Sequence, residues 1–125
     1  TGGYAETNGV GRPVFEVLHQ RERNLKEFIT TNESKANGIR GLIYDIQEQA
    51  LTLPSKHLFP ALYNELNAFT YKIGATGTVS FNAPSGYHDD CVMSLMFANE
   101  ARKKQFRTSK IHIGGRVQTK PQFNF

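Results

Sequence analysis

The chain has 125 residues, 38% of them hydrophobic, with 9 Phe and 5 Tyr, a net charge of +4 and a pI near 9.3. That size predicts one domain with a real core; no apolar run is long enough to cross a membrane, no signal-peptide pattern follows Thr1, and the single Cys91 excludes an internal disulfide and fits a reducing compartment. The start at Thr1 rather than Met leads us to expect a fragment or a trimmed chain, and the basic balance is compatible with nucleic acid without requiring it.

Gly3-Tyr4-Ala5-Glu6-Thr7 reads as a short strand, and Asn8-Gly9-Val10-Gly11 supplies turn residues that tolerate positive φ. Arg12-Pro13 opens a helix running to about Arg23, with Val14, Val17 and Leu18 on one face. Leu25 to Thr30 alternates apolar and charged residues, so it reads as a strand. Thr31 to Ala36 is polar and loop-like. From about Lys35 to Ala50 the residues Ile39, Leu42, Ile43, Ile46 and Ala50 have helical spacing, and Gly38 and Gly41 allow a close approach by a neighbour. Leu51-Thr52-Leu53 before Pro54 predicts a very short strand. Lys56 to Ala68 predicts a helix with Leu58, Leu62, Leu66 and Phe69 inward, Pro60 lying in its first turn or marking its true start. Phe69 to Ile73 and Val79 to Ala83 alternate across the Gly74 to Thr78 link, which predicts a hairpin. After the Pro84-Ser85-Gly86 turn, His88 to about Lys104 forms the last strong helix, with Val92, Leu95, Met96 and Asn99 along one face. Ile111-His112-Ile113 suggests a further strand, and the remainder an extended basic tail. This order predicts a mixed α/β domain, a sheet covered by helices.

The chain has only three Asp: Asp45, Asp89 and Asp90. Asp45 sits inside a helix near Glu48 and reads as a solvated-face residue. Glu6 sits where a strand gives way to a loop and helix, the edge at which open α/β folds bind ligands; it also reads as an exposed strand-end acid. Asp89 and Asp90, with His88, sit at a helix start. Acids there are favoured by the helix dipole, so capping is one reading; half of a divalent-metal site is the other. Cys91 and Met93 read as packing residues. A strand-end Glu with a helix-start Asp is typical of enzymes that cleave phosphodiesters with two divalent ions, with Mg²⁺ or Mn²⁺ on hard oxygen ligands. Three carboxylates are the usual minimum, since two leave about four positive charges poorly offset. Structural zinc lacks a second Cys, the four His show no short metal-binding spacing, no phosphate loop ends in Gly-Lys-Ser/Thr, and no Ser sits in a nucleophile elbow. From Ala101 to Phe125 there are Arg102, Lys103, Lys104, Arg107, Lys110, Arg116 and Lys120 and no acid. That stretch reads either as a grip on phosphates or as a solubilising terminus.

Ala5-Glu6-Thr7-Asn8-Gly9-Val10-Gly11 and Gly86-Tyr87-His88-Asp89-Asp90-Cys91-Val92-Met93-Ser94-Leu95, in this order and spacing, resemble the C-terminal nuclease domain of tailed-phage terminase large subunits. Glu65-Leu66-Asn67-Ala68-Phe69-Thr70-Tyr71-Lys72 and Leu51-Thr52-Leu53-Pro54 resemble it too. The resemblance covers roughly Tyr4 to Lys104. It implies an RNase H-like mixed sheet flanked by helices and a Mg²⁺- or Mn²⁺-dependent endonuclease that cuts concatemeric viral DNA. It implies double-stranded DNA, an upstream ATPase domain, a portal and a small terminase subunit as partners, no membrane, and the cytoplasm of the infected or lysogenic bacterial host. Carried over, Glu6 matches the family's second catalytic acid and Asp90 its third. Asp89 and His88 match flanking residues that could ligate metal or orient water. The expected metal residues are Glu6, Asp90 and Asp89; neighbours on a helix face different ways, so which of Asp89 and Asp90 points at the ions is left open, with Asp90 favoured. The family's first catalytic Asp lies on an earlier strand, upstream of the Glu and before Thr1. The expected organisation is therefore a partial nuclease domain over 1–105, incomplete at its N-terminus, and a basic tail over 106–125. An uncovered sheet edge or apolar surface, and with it self-association, is expected. The competing readings are a non-catalytic DNA-binding module, gripping phosphates through Arg102, Lys103, Lys104 and Arg107, and another RNase H-like enzyme such as a resolvase or transposase.

Overall fold

A computed structural model of the protein describes residues 2–108, with side chains described to residue 105. The chain order is β1 (Gly3–Glu6), α1 (Gly11–Arg21), β2 (Leu25–Phe28), α2 (Asn32–Gln47), α3 (Pro60–Ala68), β3 (Thr70–Ile73), β4 (Val79–Asn82) and α4 (Asp90–Thr108). The expected α/β class is present. Among the described residues the strands form two separate two-stranded sheets, not one mixed sheet. β1 and β2 are parallel, with Gly3 opposite Leu25 and Glu6 opposite Phe28, and α1 is the crossover that parallel pairing requires. β3 and β4 form the antiparallel hairpin, Thr70 opposite Asn82 and Ile73 opposite Val79. The expected strand at Ile111 to Ile113 lies outside the described residues, and α4 continues past the expected boundary at 105.

The core is the contact between α2 and α4. Ile39 and Leu42 meet Val92 and Met96, all essentially without solvent exposure. Burying each such side chain stabilises the fold by about 2 kcal/mol. Phe28, Leu66, Phe69, Phe81 and Phe97 pack around this centre and tie both sheets and α3 to it. Gly38 makes the approach possible. A Cβ there would lie 2.5 Å from the Met96 sulfur and 2.8 Å from its Cγ.

Several expectations are corrected. The polar segment at Thr31 is the start of α2, not a loop. Thr31 Oγ1 accepts from the Ser34 N–H at 3.0 Å, and Ser34 Oγ accepts from the Thr31 N–H at 2.8 Å, a reciprocal cap built with Ser in place of the usual Glu or Gln. Leu51 to Leu53 forms no ladder; Leu51 instead packs against the core. Pro60 is the true start of α3, which leaves Leu58 ahead of the helix and 76% exposed. In α1 the buried side chain is Phe15, while Val14, Val17 and Leu18 are exposed. The face turned to the sheet is set by Phe15 stacking on His19 at 5.2 Å, one turn apart, with His19 Nδ1 3.0 Å from the Leu25 carbonyl oxygen. Val10 is exposed as well.

Asp45 is the largest correction. It continues the buried row Ala36, Ile39, Leu42 by three residues and is 7% exposed. α4 supplies its partners: Asn99 Nδ2 donates at 2.7 Å, Lys103 Nζ lies at 3.0 Å and Arg102 Nη2 at 3.2 Å, all on Asp45 Oδ2. Burial alone would raise this carboxyl's pKa. The bonds from Asn99 and Lys103 and the charges of Lys103 and Arg102 outweigh burial and hold it below its ordinary value.

A carboxyl with a depressed folded pKa stabilises the fold above its unfolded pKa and loses that contribution as pH falls through the folded value. Asp45→Ala is expected to cost about 2 kcal/mol in urea unfolding at pH 7, less than a fully buried pair because Arg102 and Lys103 are partly solvated. The gap to wild type should narrow below about pH 4. Gly38→Ala should cost about 1–3 kcal/mol by overpacking Met96 at every pH.

Candidate metal centre

Glu6 ends β1 and is exposed. Its position is fixed by the turn that follows. The Thr7 N–H donates to the Phe28 carbonyl at 3.0 Å, continuing the β1–β2 ladder one step. The Asn8 side chain then acts as a further rung: its Nδ2 donates to the Thr30 carbonyl at 2.7 Å and its Oδ1 accepts from the Thr30 N–H at 2.8 Å. Gly9 takes a φ of +52°, as turn chemistry predicts. Gly11 is required for another reason: a Cβ there would collide with the Glu6 carbonyl oxygen, so α1 starts directly against the Glu6 backbone. Arg12, the neighbouring cation, is engaged with Glu27 at 2.5 Å.

α4 starts at Asp90, two residues later than expected. The end of β1 that carries Glu6 points toward this start. The Gly2 carbonyl accepts from Gln105 at 3.3 Å, and the Lys104 ammonium lies 4.8 Å from the Tyr4 ring centre. Phe28, opposite Glu6, packs on Phe97 with ring centres 4.8 Å apart. Moving along β1 from Gly2 to Glu6 therefore runs back along α4 from Gln105 to Phe97. Seven further residues, about 10 Å at 1.5 Å per residue, reach Asp90. A second path closes the same end. Asn8 holds Thr30, Thr31 caps α2, and Lys35 in the first turn of α2 reaches Asp89 Oδ2 at 2.7 Å.

The three residues at the start of α4 are in different states. Asp89 is partly buried and paired with Lys35, and its carbonyl accepts the Met93 N–H at 2.8 Å. The Asp90 side chain is 89% exposed. His88 is equally open, with Nδ1 4.0 Å from Asp90 Oδ2. The capping function belongs to neither aspartate side chain. Glu65 of α3 accepts from the Cys91 N–H at 2.7 Å and from the Val92 N–H at 3.2 Å, placing its charge on the positive end of the helix. Burial, and then the adjacent Glu65 carboxylate, push the Cys91 thiol upward, away from nucleophilic reactivity.

Oxygen donors of this kind suit Mg²⁺ or Mn²⁺, which keep several waters and need only one or two carboxylates plus substrate phosphate. Glu6 and Asp90 are donors of that chemical type. Among the described residues no three His, Cys, Asp or Glu side chains stand close enough to hold a metal ion. The hydroxyls of Thr7 and Thr30, beside the Glu6 turn, are buried without a partner among the described residues, a polar spot suited to water. Two of the expected DNA contacts, Arg102 and Lys103, are held by Asp45; Lys104 lies over Tyr4, and the Arg107 side chain lies outside the described residues. An open groove of about 540 Å³ between β1 and α4, lined by Gly3, Tyr4, Phe97, Ala98 and Arg102, contains none of the candidate acids. Glu65 lies in a stretch that carries the family resemblance, but its contact with the start of α4 has no sequence signal; Lys35 has none either, since no local signal links it to a residue 54 positions away.

No family model matches the chain, and no curated protein matches it significantly. Among solved structures it is similar to the large terminase nuclease from thermophilic phage G20c, whose crystal structure holds bound magnesium, with a TM-score of 0.59 and 28% identity. The match takes in 74% of this chain and 48% of that one, so this chain spans about half of that nuclease. The two share a mixed α/β fold.

Glu65→Ala is expected to lower stability by about 1–2 kcal/mol in thermal unfolding, since two N–H groups lose their acceptor. Glu65→Gln should recover part of that loss, keeping an acceptor without the charge.

Proposed function

We propose that this chain is part of the metal-dependent DNA endonuclease domain of a phage or prophage terminase large subunit, of RNase H-like type. The observation that supports the reading is that β1 runs antiparallel along α4, with Glu6 toward the end of α4 at which Asp90 starts the helix. It is supported by similarity to a nuclease that holds magnesium. Glu6 and Asp90 would hold Mg²⁺ or Mn²⁺, and His88, beside Asp90, would orient water. When bound, such ions activate water and offset charge on the phosphate during phosphodiester hydrolysis. The chain's own contribution is to fix the Glu6 backbone through the Asn8–Thr30 rung and the Gly11 contact, and to present Asp90 from a helix end already capped by Glu65. The missing third carboxylate fits a site completed by an upstream strand, so the chain alone should bind Mn²⁺ weakly and cut DNA slowly or not at all. The basic residues from Arg102 onward would meet duplex phosphates. Because Lys103 also holds Asp45, its charge reversal should lower stability as well as DNA binding.

Plasmid nicking with Mn²⁺ tests the reading. A longer form of the gene product carrying the upstream segment should nick supercoiled DNA, and Glu6→Ala or Asp90→Ala in it should lower the rate by at least about a hundredfold, on the scale of lost transition-state charge stabilisation. Nicking at full rate in both variants would refute the assignment of these acids. Equal nicking by the 125-residue chain alone would refute its incompleteness.

A further inference from the structure

We propose that Lys35 is a positioning residue that decides which of the two neighbouring aspartates is offered to a divalent cation. The inference rests on the metal reading above and extends it to the selection of the ligand. The Lys35 ammonium is held from three sides: Asp89 Oδ2 at 2.7 Å, Asn82 Oδ1 at 3.4 Å and the Phe69 ring centre at 5.6 Å. Its side chain is 16% exposed and that of Asp89 is 28% exposed. A cation binding Asp89 would have to displace this ammonium and leave it partly buried beside Phe69 without its counter-charge, which is costly. A cation binding Asp90 displaces nothing comparable, because Asp90 is open and the ring nitrogen of His88 stands 4.0 Å from its carboxylate. Glu65 removes the remaining competing role by taking the first N–H groups of α4. Lys35 itself is placed by the Thr31–Ser34 cap, which follows directly on the strand that Asn8 clamps beside Glu6. The same short run of contacts therefore places the Glu6 backbone and engages Asp89 with Lys35.

Mn²⁺ alone, titrated into the ¹⁵N-labelled 125-residue chain, tests this through paramagnetic broadening of amide resonances, a readout that works at weak affinity. In wild type the broadening should centre on Glu6 to Asn8 and Asp90 to Val92. Asp89→Asn should keep the pattern and the midpoint within about twofold, whereas Asp90→Asn should raise the midpoint about tenfold or more. Lys35→Met should release Asp89 and lower the midpoint, Lys35→Met with Asp89→Asn should restore it, and Lys35→Arg should behave as wild type. An Asp89→Asn midpoint raised as far as that of Asp90→Asn would overturn the proposal, and so would an unchanged midpoint in folded Lys35→Met. The Asp89 and Asp90 comparison decides the matter even if Lys35→Met fails to fold. Absence of localised broadening in wild type is a different result, and it would overturn the metal reading itself.

Discussion

The close contact of α2 with α4 is the constraint from which the geometry of the site follows. Gly38 lets the Met96 side chain reach the α2 backbone, and Leu42 and Ile39 close on Val92. One helical turn on, Asp45 gathers Asn99, Arg102 and Lys103. The upper part of this seam is apolar and adjustable; the lower part is a set of charge-assisted bonds with fixed directions. Together they set both the distance and the axial register of α4. A slip of one residue would break the Asp45 bonds and rotate Asp90 away from the sheet end.

That register brings a helix start with two carboxylates to the edge where β1 and β2 end. Two negative charges at a helix start, with a third carboxylate from Glu65 close by, would repel one another unless each had a separate partner. The molecule provides them. Glu65 binds backbone N–H groups, Asp89 binds an ammonium, and Asp90 faces solvent. Capping, ion pairing and exposure to solvent are thus divided among three side chains from α3, the joint before α4 and α4 itself.

Local signals made much of this legible. The Asn8-Gly9-Val10-Gly11 turn, the hairpin across Gly74 to Thr78, the role of Pro60 and the α2–α4 apolar faces all follow from residue spacing and turn chemistry. What could not be read depends on pairings between distant segments. A mid-helix Asp45 looks solvated until α4 brings a lysine, an arginine and an asparagine to it. Val14, Val17 and Leu18 look like a buried face until Phe15 and His19 are seen against the sheet. The Thr31–Ser34 cap carries no familiar sequence signature, because its third position is Ser, not Glu or Gln. Glu6 and Asp90 were visible as acids at element ends; the reason Asp89 differs from Asp90 was not, because it lies in Lys35.

Anomalous scattering from crystals grown with Mn²⁺ examines the arrangement most directly. The account requires a manganese peak at roughly 2.0–2.2 Å from carboxylate oxygens of both Glu6 and Asp90, with Asp89 still turned to Lys35. A peak ligated by Asp89 with Lys35 displaced, or ions bound without Glu6 and Asp90, would contradict it.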